Sequence, residues 1–386
     1  MKQTYLDNAS TTFPKAPQVA TSVYEYLTSL GCNINRGAYS NSFKAESVVF
    51  ETRELICKLF NFHTPENVVF TKNITEGLNI ILKGLLKPSD EIIISSMEHN
   101  AVTRPLNSLV LNNIKIHRVT CSSKGELNPK DILKFINKNT KALLMTAASN
   151  VCGTILPLKE IGAICKDNNI IFILDSAQGA GVISIDYEDI NASIIAFTGH
   201  KGLLGPQGIG GFLISDSIVN LVNPLIEGGT GSVSESEIQP NYMPDKFESG
   251  TPNVPGIFGL NSSLKFILDE GIHNIHNKEI SLTKKFIEGI SLIKEAKIIG
   301  LPSTKNRVAV VSLDFSPLDN ALISHYLEKN HGIMTRCGLH CAPSAHKTLG
   351  TFPNGTVRFS FGYFNTLQDV TTAITAITEV LKLDLL

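Results

Sequence analysis

The 386-residue chain has almost no surplus charge: 34 Lys and Arg stand against 35 Asp and Glu, a net of −1. That balance removes any global argument for nucleic acid, an acidic substrate or an anionic membrane as partner. Charged residues are scarce, at 18% against the roughly 25% usual in soluble proteins. With 42% hydrophobic residues, this argues for a compact, well-buried enzyme and against disorder. Paired cysteines are also lacking. The seven (Cys32, Cys57, Cys121, Cys152, Cys165, Cys337 and Cys341) are odd in number and scattered. They argue against a disulfide framework and for a reducing, cytoplasmic setting. Cys337 and Cys341 are the one close pair. No second pair completes a zinc site, and no metal is expected. The start, Met-Lys-Gln-Thr-Tyr-Leu-Asp, has no apolar signal core. No run approaches the ~20 apolar residues of a membrane helix. Tandem repeats and low-complexity tracts are absent from the sequence.

Short apolar runs alternating with amphipathic stretches fill the middle of the chain. The runs cover residues 67–71, 91–96, 114–119, 142–148, 170–175, 194–198 and 209–214. Most are rich in Ile, Val or Phe, as strands buried on both faces should be. Helical patterns at 75–87, 129–136 and 157–166 lie between them. The alternation predicts an α/β fold with a mainly parallel sheet and helices on both faces. Ligands in such sheets bind beyond the carboxyl ends of the strands. From Gly228 to Pro255 the chain is polar and Gly-rich, which predicts a long loop, functional or disordered. A long helical pattern over 256–294 follows. Then come a strand at 308–315, a helix at 317–329, a strand at 356–361 and a closing helix. Thr366 and Asp369 resemble a capping box for that helix. At ~100–200 residues per domain, the length suggests two domains. We expect a large domain over residues 16–255 and a smaller α+β domain over 256–386, joined by 1–15.

Four segments following strand-like runs carry chemistry. Asp175 ends an apolar run and needs a cation or a hydrogen-bond donor; a protonated pyridine nitrogen would serve, and a helix N-cap role is equally open. Lys201 lies in Thr198-Gly199-His200-Lys201-Gly202. Desolvation beside a small, Gly-rich loop would lower its pKa and make it a nucleophile toward aldehydes. Alone it also reads as a surface lysine in a turn. Thr71-Lys72-Asn73-Ile74-Thr75-Glu76-Gly77 is a strand-to-helix turn whose N–H groups would hold phosphate. His99, in Glu98-His99-Asn100, would stack on a flat cofactor and act catalytically by shuttling protons, or serve structurally. Together these describe a pyridoxal 5′-phosphate site.

On these residues the chain resembles the class V aminotransferase group of fold-type I pyridoxal-phosphate enzymes, and within it the cysteine desulfurase/selenocysteine lyase family. The resemblance runs from Tyr5-Leu6-Asp7-Asn8-Ala9-Ser10-Thr11-Thr12 to Thr356-Val357-Arg358-Phe359-Ser360 and Tyr363-Phe364-Asn365-Thr366. Its most specific segments are Gly199-His200-Lys201 and Arg336-Cys337-Gly338-Leu339-His340-Cys341-Ala342. It implies a large domain with a mainly parallel seven-stranded sheet. Lys201 would carry the cofactor as a Schiff base and abstract the substrate Cα proton. Asp175 would hold the ring nitrogen, Gln178 the ring 3-oxygen, and His99 would stack. Thr75, Thr198 and His200 would bind phosphate, with Glu76 and Asn150 also beside the cofactor. Thr251 would reach a neighbouring subunit's phosphate in a homodimer. Asn8, Ala9, Asn35, Asn150, Arg336 and Arg358 would bind substrate, Arg358 holding the carboxylate bidentately.

Cys341 separates the chemistries. Transamination needs no thiol, whereas a desulfurase needs a thiolate to attack the sulfur of cysteine, leaving a persulfide and releasing alanine. His340 and Arg336 would stabilise that thiolate. Cys57 and Cys165, inside helical patterns, read as core residues. The short link from Arg336 to Cys341 resembles the group with a compact, ordered cysteine loop, in which an acceptor protein takes the sulfur. Asn35 stands where that group has His before Arg36, and Ile74 where some members have a second phosphate-facing Thr. Ala342-Pro343-Ser344-Ala345-His346-Lys347-Thr348 is more polar than the usual continuation. The resemblance leaves selenocysteine lyase, or another class V lyase or aminotransferase, as alternatives.

Overall fold

The computed structural model describes residues 3–35 and 37–383. Thirteen strands occur among them: β1 (Thr4–Tyr5), β2 (Val68–Thr71), β3 (Glu91–Ser95), β4 (Lys115–Val119), β5 (Thr140–Thr146), β6 (Ile171–Asp175), β7 (Ile194–Thr198), β8 (Gly210–Ile214), β9 (Lys297–Ile299), β10 (Val310–Asp314), β11 (Ile333–Met334), β12 (Arg336–Gly338) and β13 (Thr356–Ser360). Seven form one sheet in the order β2-β8-β7-β6-β5-β3-β4. The strands β4, β3, β5, β6 and β7 run parallel. β8 runs antiparallel to both β7 and β2.

The apolar runs become strands because each can be covered on both faces by helices. Every residue of β2, β3, β6, β7 and β8 is buried. The expectation of two buried faces fails at β4, whose first four residues are exposed or half-buried: it is the sheet edge. The helix Ile74–Leu85 lays a broad apolar stripe on one sheet face. On the other face lie Ser40–Phe60 and Val254–Glu270, which pack against each other. The 21-residue helix Ser40–Phe60 escapes periodicity reading because its apolar face is broken by Thr52 and Arg53, both buried.

A second sheet, β12-β13-β10-β9, is antiparallel. Its core is shared with the helices Ile272–Ile290 and Leu367–Val380. The single helical pattern expected over 256–294 is two helices, broken at Gly271, whose φ of 80° lies where a Cβ is disfavoured. Thr366 and Asp369 form the expected capping box. β1 pairs with β11 in a separate two-stranded sheet, and a bridge between Asp7 and Ser360 ties the N-terminal arm to β13 of the second sheet. No helix among the described residues is long and apolar enough to cross a membrane.

One buried ion pair holds the edge strand β2. Arg53 meets Glu248 in a two-pronged contact of 3.0 and 2.8 Å and also donates to the Val68 carbonyl. Glu248 accepts from the Phe70 N–H at 2.6 Å. Glu248→Ala strands a buried guanidinium and an amide together. We predict a loss of about 3–5 kcal/mol of unfolding free energy by denaturant titration; a loss below about 1 kcal/mol would show that the pair is not structural.

Candidate active site

The parallel strands deliver their carboxyl ends to one cavity of about 310 Å³. His99 follows β3, Asn150 follows β5, Asp175 ends β6 and Thr198 ends β7; all four line it with Lys201. The register places Thr146 of β5 opposite Asp175 of β6. At Asn73, which also lines the cavity, β8 crosses so close to the N-terminus of the helix Ile74–Leu85 that a Cβ on Gly210 would lie 2.9 Å from the Asn73 Cα.

The floor is electrostatically tense. Asp175 is fully enclosed, and its carboxylate Oδ1 accepts one N–H, from Ala177 at 2.9 Å. Burial raises its pKa, against that N–H and the nearby Lys201. A carboxylate so placed gains most from a cation held against it. Lys201 is pulled down to about 8, first by desolvation and then by Arg358 and Arg336; Asp175 and Cys341 oppose this. A lysine near 8 holds a usable fraction of free amine at neutral pH. His99 is lowered to about 4 by burial and by Lys201. Its Nδ1 accepts the Ala101 N–H at 3.0 Å, so the neutral ring caps the helix Asn100–Leu109.

One end of the cavity suits an anion. It is bounded by Asn73, Ile74 and Thr75 at the start of the helix Ile74–Leu85, and by Thr198 and His200. Thr198 Oγ1 and His200 Nδ1 are buried and unpaired. Orphaned donors beside a helix N-terminus are what a bound phosphate would satisfy. These residues fit a flat, phosphorylated ring: Asp175 would hold its ring nitrogen and Lys201 would bond its aldehyde. Glu76 is not among the lining residues. Its carboxylate accepts the Lys72 N–H at 2.6 Å, and its own N–H is capped by Asn73.

Arg358, on β13, does not itself line this cavity but joins it through Asn150; it is 2% exposed. It donates to Asp7 Oδ1 at 2.9 Å, Ser10 Oγ at 2.6 Å and the Asn150 carbonyl at 3.0 Å, while its Nε is unpaired. Arg336, exposed at the rim, shares Ser10. Asp7 and Ser10 escape the sequence reading, although both sit within the N-terminal motif. An acid two residues after a short strand gives no sign of a partner 351 residues away. Asn8 and Ala9 are occupied structurally. Asn8 bonds Ser360, Asn365 and the Phe13 N–H, and the Ala9 carbonyl accepts from Gln178 Nε2 at 2.9 Å. Asn150 Nδ2 donates to the His340 carbonyl at 2.7 Å.

Cys341 is exposed and lies near enough to influence Lys201; Cys57 and Cys165 are buried. The expected help from an imidazolium at His340 is overturned. Its ring turns inward onto Thr356 Oγ1 at 3.0 Å, and burial with Arg358 nearby drives its pKa to about 2, so it is neutral. Asn35 does not line the Lys201 cavity. It lines a separate one of about 320 Å³ with Arg53, Glu248, Gly250 and Pro252, the neighbours of Thr251. Arg36 lies outside the described residues.

Known proteins resemble the chain over nearly its whole length. The aminotransferase class-V family model matches residues 4–372. The chain belongs to that family of enzymes. A probable cysteine desulfurase of Methanothermobacter thermautotrophicus is 33% identical, covering 95% of this chain and 92% of that protein. Another from Pyrococcus abyssi is 32% identical, over 98% and 94%. The apo structure of cysteine desulfurase from Thermococcus onnurineus NA1 superposes with a TM-score of 0.92 at 32% identity, covering 98% of this chain and 95% of that one. These relatives place the chain with the cysteine desulfurases of its family.

Buried titratable groups predict a stability maximum. His99, His200 and His346 are lowered to about 4 and His340 to about 2, each chiefly by burial. Between pH 4 and 6.5 the unfolded chain takes up these protons and the folded one does not, so stability rises with pH. Glu98 and Glu279 are raised to about 8 by burial, so the folded chain keeps protons that the unfolded chain has released above its carboxylate pKa. Below pH 6.5 the four imidazoles outweigh the two carboxyls; from there toward pH 8 the carboxyls dominate and stability falls, until Lys201 and Lys15, both lowered to about 8 chiefly by burial, offset them. The thermal midpoint of the apoprotein should peak near pH 6.5; a monotonic profile from pH 4 to 8 would contradict these assignments.

Proposed function

We propose that the protein is a pyridoxal-phosphate-dependent cysteine desulfurase that converts L-cysteine to alanine and holds the released sulfur as a persulfide on Cys341. The observation that carries this reading is an exposed thiol, on a turn beside Lys201, at a site that otherwise suffices for transamination. The cofactor, when bound, supplies an electron sink that acidifies the substrate Cα–H. Asp175 holds the charge of its ring nitrogen, Thr75, Thr198 and His200 bind its phosphate, and His99 covers its face as a neutral imidazole. Gln178 anchors the arm through Ala9, lines the cavity and would hold the ring oxygen.

Arg358 orients the substrate carboxylate, and its restraint by Asp7 and Ser10 keeps the guanidinium from swinging. Lys201, with a pKa near 8, takes the Cα proton and later returns one. The Cys341 thiolate attacks the substrate sulfur. The S–S bond forms, the Cβ–S bond breaks, and its electron pair stays on Cβ, which is protonated to the methyl group of alanine. The persulfide then passes to an acceptor protein.

The division of the chain into residues 16–255 and 256–386 with 1–15 puts Lys201 in the first unit and Cys341 with Arg358 in the second. The site would then close between them. We propose further that two copies pair. Tyr24, Leu27, Tyr39 and Phe43 are exposed apolar side chains on and beside the first two helices. Thr251 lies by a cavity apart from its own Lys201. Seven free cysteines suit a reducing cytoplasm.

The test is a product assay on cysteine and selenocysteine, scoring alanine and chalcogen together. Cys341→Ala should keep cofactor absorbance and lose at least about 100-fold of sulfide release from cysteine, in the range known for removing a nucleophile. Full desulfurase activity in that variant would refute the reading. Selenocysteine turnover that survives Cys341→Ala and exceeds cysteine turnover in kcat/KM would favour selenocysteine lyase. Pyruvate in place of alanine would indicate a C–S lyase.

A further inference from the structure

The loop carrying Cys341 is held in an unfavourable backbone shape. His340 and Cys341 are consecutive non-glycine residues in the left-handed region, with φ of 48° and 56°. Such conformations persist only where the surroundings over-determine them. Two bonds act from the cofactor side: Asn150 Nδ2 to the His340 carbonyl at 2.7 Å, and the Asn100 N–H to the Cys341 carbonyl at 2.7 Å.

The remaining restraint comes from behind. His346, on the short helix Pro343–Leu349, is fully buried. Its Nδ1 bonds Thr351 Oγ1 at 2.7 Å, and its carbonyl accepts the Thr351 N–H at 2.9 Å. Thr351 in turn accepts the Gly355 N–H at 2.7 Å. A Cβ on Gly355 would sit 2.4 Å from the Gly338 backbone, so this turn lies flat against the start of the cysteine loop. The next residue, Thr356, pairs with Gly338 in the sheet and bonds the His340 ring. The His340 and His346 rings are 5.5 Å apart. The path therefore runs from His346 through Thr351 and Gly355 to Thr356 and His340, and returns through ring contact.

We propose that His346 is a positioning residue for the nucleophile: its Nδ1 bond to Thr351 braces the turn that keeps His340 and Cys341 left-handed and the thiol aimed at the substrate sulfur. The inference rests on Cys341 being the nucleophile. Burial lowers the His346 pKa to about 4, so the brace stays neutral at working pH. His346 touches neither substrate nor cofactor on this account. Its loss should alter the first sulfur transfer and leave binding alone.

The test uses holoenzyme and a single turnover, measuring alanine formed before any acceptor or reductant acts. His346→Phe fills the space without the bond. We expect the first-turnover rate to fall roughly 10- to 100-fold, the range expected for a misplaced reacting group. KM for cysteine and the pH midpoint of the cofactor absorbance should be unchanged. His346→Asn, whose side-chain amide can meet Thr351 in place of Nδ1, should restore most of the rate. Thr351→Val removes the same bond from the other side and should reproduce the loss, which covers the case where His346→Phe does not fold. Wild-type rates in Thr351→Val, or equal rates in His346→Asn and His346→Phe, would overturn the proposal. Full sulfur release by Cys341→Ala would instead overturn the nucleophile reading, whatever the His346 variants do.

Discussion

Arg358 is the residue through which the parts of the molecule meet. Its strand belongs to the second sheet, its guanidinium bonds Asp7 and Ser10 of the N-terminal arm, and it reaches the Asn150 carbonyl beyond β5 of the first sheet. A cation this deeply enclosed is tolerated because every one of these partners is in place. The same bonds that satisfy it hold together three chain segments around the site. One charge thus serves the assembly of the fold and, in the proposed reaction, would also recognise the substrate carboxylate.

That charge shapes everything near it. Arg358 and Arg336 add to the desolvation of Lys201, and together with that lysine they keep His99 neutral. Asp175 is left as the negative partner in a floor otherwise short of anions. Burial supplies most of each shift, so the site is tuned before any ligand arrives. His340 follows the same logic: beside Arg358 and away from water it cannot carry a proton, so it supports the cysteine loop through its shape and one hydroxyl contact.

Much of the sheet was legible in advance. Six of the seven apolar runs contain a strand of the large sheet and the seventh, 142–148, overlaps β5 (Thr140–Thr146), because a strand covered on both faces must be apolar at nearly every position. The two-strand pieces β1 and β11 and the short β9 and β12 were not legible, since their pairing depends on distant partners. The helix Ser40–Phe60 was hidden by Arg53, which is buried only because Glu248 arrives from 195 residues away. The long pattern over 256–294 looked continuous, and only the backbone at Gly271 separates its two helices.

The site divides the same way. Residue chemistry by itself determined that Lys201, Asp175, His99 and the turn at Thr75 belonged together, because each follows a buried strand and such strands end at one edge of a parallel sheet. The resemblance added Cys341 and Arg358. Only the tertiary structure decided which side chains are free to act. Glu76, Asn8 and Ala9 are engaged in local or arm contacts, Asn35 lines another cavity, and Asp7 and Ser10 emerge as the partners of Arg358. A sequence declares which groups a chain owns; which of them are already satisfied depends on contacts across hundreds of residues, and those exist only once the chain has folded.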